Sequence, residues 1–588
     1  MVTMKIAVGV LACALASCSE AKPKEVPSAR ASVEEREESD ESGAKTEVQA
    51  QLEALKTPSQ QPLAVKRLYQ LFEDTMTKDK NDRNGPNVKA LVDEISRPLD
   101  TLCLDATVKE RQRSYLVKLV AELRDARAEA CFKKTLEDYV PDSTEEDVQV
   151  VLRAVTALKL KSLAPEVMKT FTRMEFARAK VAAVKTDMAN AVVAVVGPAQ
   201  EGELVKLLEA PMSDQDQGAS KNQAYWQTVS ARALGEIGSD KAVRPLIKVI
   251  LSPGKSAIAN AAVVALVKIG KPSVAPAEKL LRGEDLELVA YAKEQAALGG
   301  AKDKTGNAHV QTAAQILASL GHESSTPALV AALEQARGDS STRVIVAIAL
   351  TQLPRSEASV AAFKKTFEEV RYDAETPAGN AKESMAAFAG DFFDAKLVSW
   401  LAKTTTDAAS RQAKAEDLDG ARTAALVTAL KLATLDEIAE AEGLANRKSA
   451  DQAKPPIGRA FEQELAQAKA LVGACKGEVP CYFAALTDEK SQTKEKQFTA
   501  IKAAHMIGIL GGEGDRAKLV EALPRIGSEA VRGVALKALK AMAPKGDIAA
   551  ADQLTKLHTQ AEQSKDEALV ASYRFFPLAA AQLRLRAQ

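Results

Sequence analysis

The chain has little of what most active sites use. Among 588 residues there are four histidines, and aromatic residues make up only 4%. Histidine is the commonest general base and metal ligand, so its scarcity argues against chemistry that depends on an imidazole. No histidine has another ligand at metal-like spacing. We therefore expect no metal site, no cofactor and no enzyme activity, and we expect His322 and His505 to be core or cap residues.

The chain also lacks net charge. Lysine plus arginine and aspartate plus glutamate number 79 each. No overall field attracts nucleic acid, so a nucleic-acid partner is not predicted. Alanine, leucine, lysine and glutamate dominate instead, and few segments are rich in the β-branched and aromatic residues of strands. The composition predicts an all-α protein, and its length exceeds that of one hydrophobic core.

The N-terminus has the layout of a secretory signal. Met4 and Lys5 precede a short apolar run over residues 6–15, which is too short to span a bilayer, and small residues follow. The tetrad Leu15-Ala16-Ser17-Cys18 resembles the lipobox of bacterial lipoproteins. The resemblance implies that residues 1–17 are removed and that Cys18 is lipidated. The alternative is an ordinary signal peptide with an incidental cysteine.

The resemblance to lipoproteins also implies a location. A lipidated Cys18 anchors the chain in the bacterial cell envelope. In lipoproteins of this kind, Ser19 after the lipidated cysteine indicates the outer membrane. Residues 18–60 are polar and carry a charged run over 34–42, so we expect them to form a disordered tether.

A six-residue phrase recurs beyond the tether. It reads ALGEIG at 233–238, ALVKIG at 265–270 and ILASLG at 316–321, and it returns at 506–511 and 538–543. Successive phrases often lie 32 or 33 residues apart, as from 234 to 266 and from 317 to 350. A fixed period of this size predicts stacked supersecondary units. The glycine that ends several phrases fits a left-handed helix cap, and we expect such a cap around Gly511 as well.

These phrases resemble HEAT repeats, particularly the short kind of the phycobilin-lyase-like repeat family. The resemblance implies an α-solenoid, a superhelix of antiparallel helix pairs; an irregular helical bundle is the alternative. Four segments follow the tether: 61–220 with divergent helical repeats, 221–375 with HEAT-like repeats, 376–490 with irregular helical repeats, and 491–588 with C-terminal HEAT-like repeats and a cap. Some family members modify tetrapyrroles, but only the repeat phrases match here and no catalytic residue can be placed.

Four cysteines remain after Cys13 leaves with the signal and Cys18 takes lipid. An even number in an exported chain suggests two disulfides. Cys475 and Cys481 bracket a five-residue turn that contains glycine and proline. Cys103 and Cys131 flank one predicted helix over about 108–125. We predict both pairs as disulfides, with two buried free thiols as the alternative for Cys103 and Cys131.

The sequence therefore favours a scaffold over a catalyst. Solenoids bind through a long surface built by successive repeats. We expect a membrane-anchored protein–protein scaffold or adaptor whose partners are other envelope proteins, tethered to the membrane through Cys18, with no small-molecule substrate. Two alternatives stay open: an unrecognised envelope enzyme on a HEAT-repeat scaffold, and a passive structural spacer.

Overall fold

The computed structural model describes residues 47–588, apart from 106–107, 109, 177–182, 213–215, 300–305, 377–378, 406–413, 452, 490–492, 494–495 and 565. The predicted all-α class is confirmed. In the described residues, the only strands form one two-residue antiparallel pair, Glu375–Thr376 with Gly379–Asn380. By its internal contacts the chain divides into two compact units, one ending at Ile237 and the other covering Gly238–Gln588.

The first unit consists of helices that stack in two layers. Its helices are α1 (47–54), α2 (Gln61–Lys78), α3 (Pro86–Leu104), α4 (Glu110–Leu123), α5 (Glu129–Glu137), α6 (Glu145–Leu158), α7 (Ala164–Arg173), α8 (Lys185–Val195), α9 (Glu201–Glu209) and α10 (Gln217–Ile237). Helices α2, α4, α6, α8 and α10 pack in succession to form one layer, and α3, α5 and α7 form the other. This alternation is the helix-pair stacking of a solenoid.

The spacing of apolar residues along a helix explains how it packs between its neighbours in the layer. In α6, Val148, Val151, Leu152 and Val155 follow the i, i+3, i+4, i+7 pattern, and all four are fully buried. Such a stripe covers one face of a helix, and that face must be buried against other elements. Helix α6 buries it by packing between α4 and α8.

The predicted tether is too long at its C-terminal end. Residues 47–54 form α1, and Val48 and Leu55 are buried. Val48, Leu52 and Leu55 are spaced four and three residues apart, so they make a short apolar stripe within an otherwise polar segment. An ion pair between Glu47 and Arg67 of α2 adds to the attachment. Residues 18–46 lie outside the described residues.

The second unit is larger. Within the described residues, its first ten helices are α11 (Val243–Leu251), α12 (Ser256–Ile269), α13 (Val274–Leu281), α14 (Leu286–Leu298), α15 (Ala308–Leu320), α16 (Thr326–Gln335), α17 (Ser340–Thr351), α18 (Glu357–Glu369), α19 (Ala381–Phe388) and α20 (Leu397–Thr404). The others are α21 (Ala415–Leu432), α22 (Ile438–Ala445), α23 (Glu462–Cys475), α24 (Val479–Thr487), α25 (Gln497–Leu510), α26 (Glu513–Ala522), α27 (Glu529–Met542), α28 (Ile548–Ser564), α29 (Glu567–Ser572) and α30 (Phe576–Arg586).

The inner layer of this unit closes on itself. Helices α12, α15, α17, α19, α21, α25 and α27 pack in succession. The last helix, α30, then packs against α12 and α15 near the start of the layer. Two hydrogen bonds join the ends: Arg586 Nε donates to the Gly321 carbonyl at 2.8 Å, and Arg586 Nη2 donates to the Gln352 carbonyl at 3.2 Å. The stacking is that of a solenoid whose last helix returns to helices near the start of the layer.

The repeat phrases end helices as predicted in most places. Gly238, Gly270 and Gly321 have positive φ angles of 72°, 83° and 64° at or just after a helix end. The expected left-handed cap at Gly511 is wrong. Gly511 does end α25, but its φ is −70°, and Gly508 lies within the helix. Both glycines are needed for close packing around a cavity, as the next section describes.

Candidate functional site

The predicted lipid attachment site, Cys18, and the signal over residues 1–17 lie outside the described residues. Across residues 47–588, where the structure describes them, no single helix is long and apolar enough to cross a membrane. The two segments Asp240–Leu251 and Pro253–Ile269 meet that criterion only together, across a bend of 101°.

The structure pairs the four remaining cysteines as predicted from the sequence. Cys103 and Cys131 join α3 to α5 with a Cα–Cα distance of 5.7 Å. Cys475 and Cys481 close the turn between α23 and α24, and their Cα atoms are 5.3 Å apart. Cys103 and Cys131 are fully buried. Burial of the longer-range pair in the core fits a structural role.

The two histidines singled out by the sequence are structural, as expected. His505 is buried in the second unit, where its ring stacks on Phe393 with 5.1 Å between centroids. Its Nδ1 donates to the Ile501 carbonyl at 2.9 Å. Burial lowers the pKa of His505 to about 3, so the ring is neutral. His322 caps the short 3-10 turn that precedes α16, where its side chain accepts from the Ser324 amide. The described part of the chain contains no cluster of three or more His, Cys, Asp or Glu side chains that could hold a metal.

The feature that the sequence did not predict is a cavity of about 310 Å³ inside the second unit. It lies where the C-terminal ends of α17, α25, α27 and α30 meet the turn that follows α19. Its lining consists of Thr351, Gln352, Leu353, Pro354, Arg355, Asp391, Phe392, Phe393, Gly508, Ile509, Gly511, Lys537, Lys540, Ala541, Met542, Pro544 and Arg586.

Basic side chains dominate the charge of this cavity. Four of its lining residues are basic, Arg355, Lys537, Lys540 and Arg586, and only Asp391 is acidic. Lys537 Nζ donates to both carboxylate oxygens of Asp391, at 2.8 and 2.9 Å. Burial alone would raise the pKa of Asp391, but Lys537 and a hydrogen bond from Gln352 outweigh it and hold that pKa below its usual range. Asp391 is therefore a carboxylate whose charge Lys537 neutralises.

No acidic side chain in the described part of the chain bonds to Lys540 in this way. Its Nζ donates to Gln582 Oε1 at 2.9 Å, and Gln582 Nε2 in turn donates to the Ser319 carbonyl. Burial lowers the pKa of Lys540 to about 7, and the positive charges of Arg586 and Lys537 act in the same direction. A buried ammonium next to other cations disfavours its own charged form.

Arg586 is held by neutral acceptors. Besides Gly321 and Gln352 it donates from Nη1 to the Lys540 carbonyl at 2.8 Å. These carbonyls lie in or just beyond the last turns of α15, α17 and α27, where unpaired carbonyls carry partial negative charge. Burial still lowers the pKa of Arg586, to about 10. Among the described residues, the acid that raises its pKa is Glu323, whose side chain is exposed.

Glycine makes the cavity possible. A Cβ atom at Gly508 would lie 2.5 Å from Phe393 Cδ1, and one at Gly511 would lie 2.6 Å from Met542 Sδ. Such distances are well inside van der Waals contact, so any larger residue would push α25 away from its neighbours. Phe393 itself has a φ of 50°. The glycine-rich segment of α25 therefore serves close packing at the cavity wall.

Cations are buried elsewhere in the second unit too, and they bind carbonyls at helix ends. Lys502 of α25 is completely buried, and its Nζ donates to the carbonyls of Leu430 and Ala433 at 2.8 and 2.6 Å, at the C-terminus of α21. Burial lowers the pKa of Lys502 to about 7. The half-buried Arg447 likewise donates from Nη2 to the Ala402 carbonyl in α20 at 2.8 Å. The unit thus holds positive charge inside a chain whose formal charge is zero.

The sequence indicates only one part of the cavity, its pair of lysines on α27. Lys537 and Lys540 are three residues apart on α27 and so share a face. Nothing in the sequence links them to Asp391, which is 146 residues from Lys537. The chain matches no protein-family model and no curated protein sequence, so its likeness to HEAT repeats remains a resemblance carried by the repeat phrases.

Proposed function

We propose that this chain is a lipid-anchored scaffold of the bacterial cell envelope that binds other envelope proteins through its stacked helices. The observation that carries the proposal is the two-layer succession of helices α2 to α10. Each of these helices packs mainly on near neighbours in the chain, so the unit presents a continuous row of outer helix faces. The lipobox-like tetrad at residues 15–18 supports attachment to a membrane.

The proposed mechanism has three parts. Acyl chains at Cys18 hold the protein at the membrane, and two or more chains make such anchoring stable. The polar segment from residue 19 to about 46 separates the anchor from the folded units. The helical layers supply the binding surface, and the disulfide between Cys103 and Cys131 ties α3 to α5 within it.

The test uses in-cell crosslinking of the full-length protein, followed by capture and identification of the attached proteins. We expect the wild type to incorporate a fatty-acid label, to fractionate with membranes and to capture a reproducible set of envelope proteins. Cys18→Ala removes the lipidated thiol and should lose the label, the membrane fraction and that set. Cys13→Ala is the matched control, because Cys13 lies in the segment that processing removes.

Two outcomes would overturn the proposal, and they differ in meaning. If Cys18→Ala keeps the label and the membrane fraction, the anchor is wrong. If lipidation proceeds but the wild type captures no more than an unrelated lipoprotein does, the scaffold is wrong and the passive spacer takes its place.

A further inference from the structure

We propose that the cavity of the second unit binds the phosphate group of a small organic phosphate. The side chains that carry the proposal are Lys540 and Arg586, and Arg355 and the Asp391–Lys537 pair also line the cavity. The proposal goes beyond scaffolding, and it does not depend on the lipid anchor.

The balance of charge in the cavity sets the charge of its occupant. Asp391 neutralises Lys537, and Asp394 lies 3.6 Å from Arg355. Lys540 and Arg586 hydrogen-bond only to neutral groups in the described structure. Arg586, and Lys540 in its protonated form, therefore lack a bonded counter-ion, and buried charges are normally paired. A phosphate monoester carries nearly two negative charges at neutral pH and matches this excess.

Hydrogen-bond donors remain for an oxyanion. An ammonium has three N–H groups and a guanidinium has five. Lys540 uses one of its three on Gln582, and Arg586 uses three of its five on carbonyl oxygens. Each side chain thus keeps two donors. Arginine forks and lysine ammonium groups are the usual ligands of phosphate oxygens in proteins.

The size and the wall of the cavity indicate that the phosphate belongs to an organic molecule. A volume of about 310 Å³ is at the lower end of small-molecule pockets and exceeds what one phosphate group fills. Leu353, Pro354, Phe392, Ile509 and Met542 supply an apolar part of the lining. An apolar body attached to the phosphate would pack there. A simple cation is disfavoured, because the basic side chains repel it.

The cations have one competing explanation. The cavity adjoins the C-terminal ends of four helices, whose carbonyls attract positive charge. Arg586 already donates hydrogen bonds to three such carbonyls. Lys540 does not, because its Nζ donates to the side chain of Gln582. If the basic residues only compensated helix ends, the cavity would bind no phosphate.

The affinity should depend on pH through Lys540. With a pKa of about 7 it loses its proton as the pH rises, while the phosphate stays a dianion. Bound phosphate would favour the protonated amine, so binding should take up a proton and weaken by about tenfold from pH 7 to 8.5. The charged side chains that act on Lys540 are Lys537 on its own helix, Arg586 on α30 and Asp391 after α19, and Arg355 after α17 also lines the cavity.

The experiment is calorimetric titration of the full-length protein with phenyl phosphate, inorganic phosphate and benzoate. We expect phenyl phosphate to bind at a single site. Inorganic phosphate, which lacks the apolar body, and benzoate, which carries one charge, should each bind about tenfold more weakly or worse. Lys540→Met should weaken phenyl phosphate binding by about tenfold and abolish its pH dependence.

A second pair of variants keeps the test valid if Lys540→Met disturbs the fold. Ile509→Glu places a carboxylate in the cavity wall, whereas Leu510→Glu places one on the exposed side of the same helix. Ile509→Glu should weaken phenyl phosphate binding at least tenfold, and Leu510→Glu should leave it unchanged. Absence of binding to the wild type, or equal affinities for the two glutamate variants, would overturn the proposal. Equal affinities for phenyl phosphate and inorganic phosphate would overturn the assignment of the apolar wall.

Discussion

Lys502 offers the sharpest test of the buried cations, and the perturbation is Lys502→Met. Methionine has a similar length and keeps the packing of α25, but it carries no charge. It also leaves the carbonyls of Leu430 and Ala433 without their donor. At a single pH the substitution therefore has two opposite effects on stability: removal of the buried charge stabilises the fold, and loss of the donor to the carbonyls destabilises it. Comparing the stability of each protein at two pH values isolates the contribution from the ionisation of Lys502.

The magnitude follows from the pKa. In the folded protein the pKa of Lys502 is about 7, against 10.5 for an ordinary lysine, so between these values the unfolded chain binds more protons. The stability of the wild type must rise with pH through that window, because the buried ammonium loses its charge. From pH 6.5 to 8.5 this contribution amounts to about 2 kcal/mol. Lys502→Met should lack it.

The assay is urea unfolding at both pH values, followed by tryptophan fluorescence. The chain has two tryptophans, Trp226 in the first unit and Trp400 in the second. A Trp226→Phe background leaves Trp400 as the only reporter, so the transition of the second unit is seen alone. The exposed Lys556 provides the control Lys556→Met.

The pH dependence of the free energy of unfolding should differ between Lys502→Met and the other two proteins. The free energy of unfolding of the wild type and of Lys556→Met should increase with pH by about 2 kcal/mol more than that of Lys502→Met. If all three proteins respond equally to pH, Lys502 is not a buried ammonium at pH 6.5, and the account of buried positive charge fails.

Three further predictions concern packing and cross-links. Gly508→Ala should destabilise the second unit by about 1–3 kcal/mol in urea unfolding, because its Cβ would collide with Phe393. Replacing Cys103 and Cys131 by alanine should lower the free energy of unfolding of the first unit by about 3–4 kcal/mol, since the disulfide closes a loop between residues 28 apart. Arg586→Met should speed hydrogen exchange in the last turns of α15 and α17, because the carbonyls of Gly321 and Gln352 at their ends lose their donor.

Each of these predictions has a matched control. Gly514→Ala meets no atom within 4 Å and should be neutral or slightly stabilising. Replacing Cys475 and Cys481, which are six residues apart, should cost only about 2 kcal/mol. Arg584→Met removes a partly exposed ion pair on the same helix and should leave exchange in α15 and α17 unchanged. A control that matches its test variant would contradict the corresponding prediction.

Local signals in the sequence predicted the helices and most of their ends. The phrase at 316–321 ends α15 at Leu320, and Gly321 adopts the left-handed conformation as expected. The irregular spacing between the phrases at 266 and 317 reflects the additional helix α14. These features depend on residues a few positions apart, which helical periodicity and capping describe well.

The cavity could not be predicted because it depends on long-range contacts. Arg586 and Gly321 look like a helix-end arginine and a cap glycine, and only the packing of α30 brings them together. Lys502 did leave a signal that was missed. Helix α25 is apolar on nearly all sides, around Ile501, Met506 and Ile507, and a helix of that kind is buried together with any lysine it carries.

Closure of the second unit by α30 has a consequence for how the protein is made. Arg586 bonds to carbonyls 234 and 265 residues earlier in the chain, so the unit cannot be completed before residue 586 has been synthesised. Contacts of such sequence separation form late and slowly. Until then the surfaces of α12 and α15 that receive α30 are open to water and to other chains. We therefore expect the newly made chain to need protection from aggregation for longer than an open repeat array, in which each repeat can fold on the one before it.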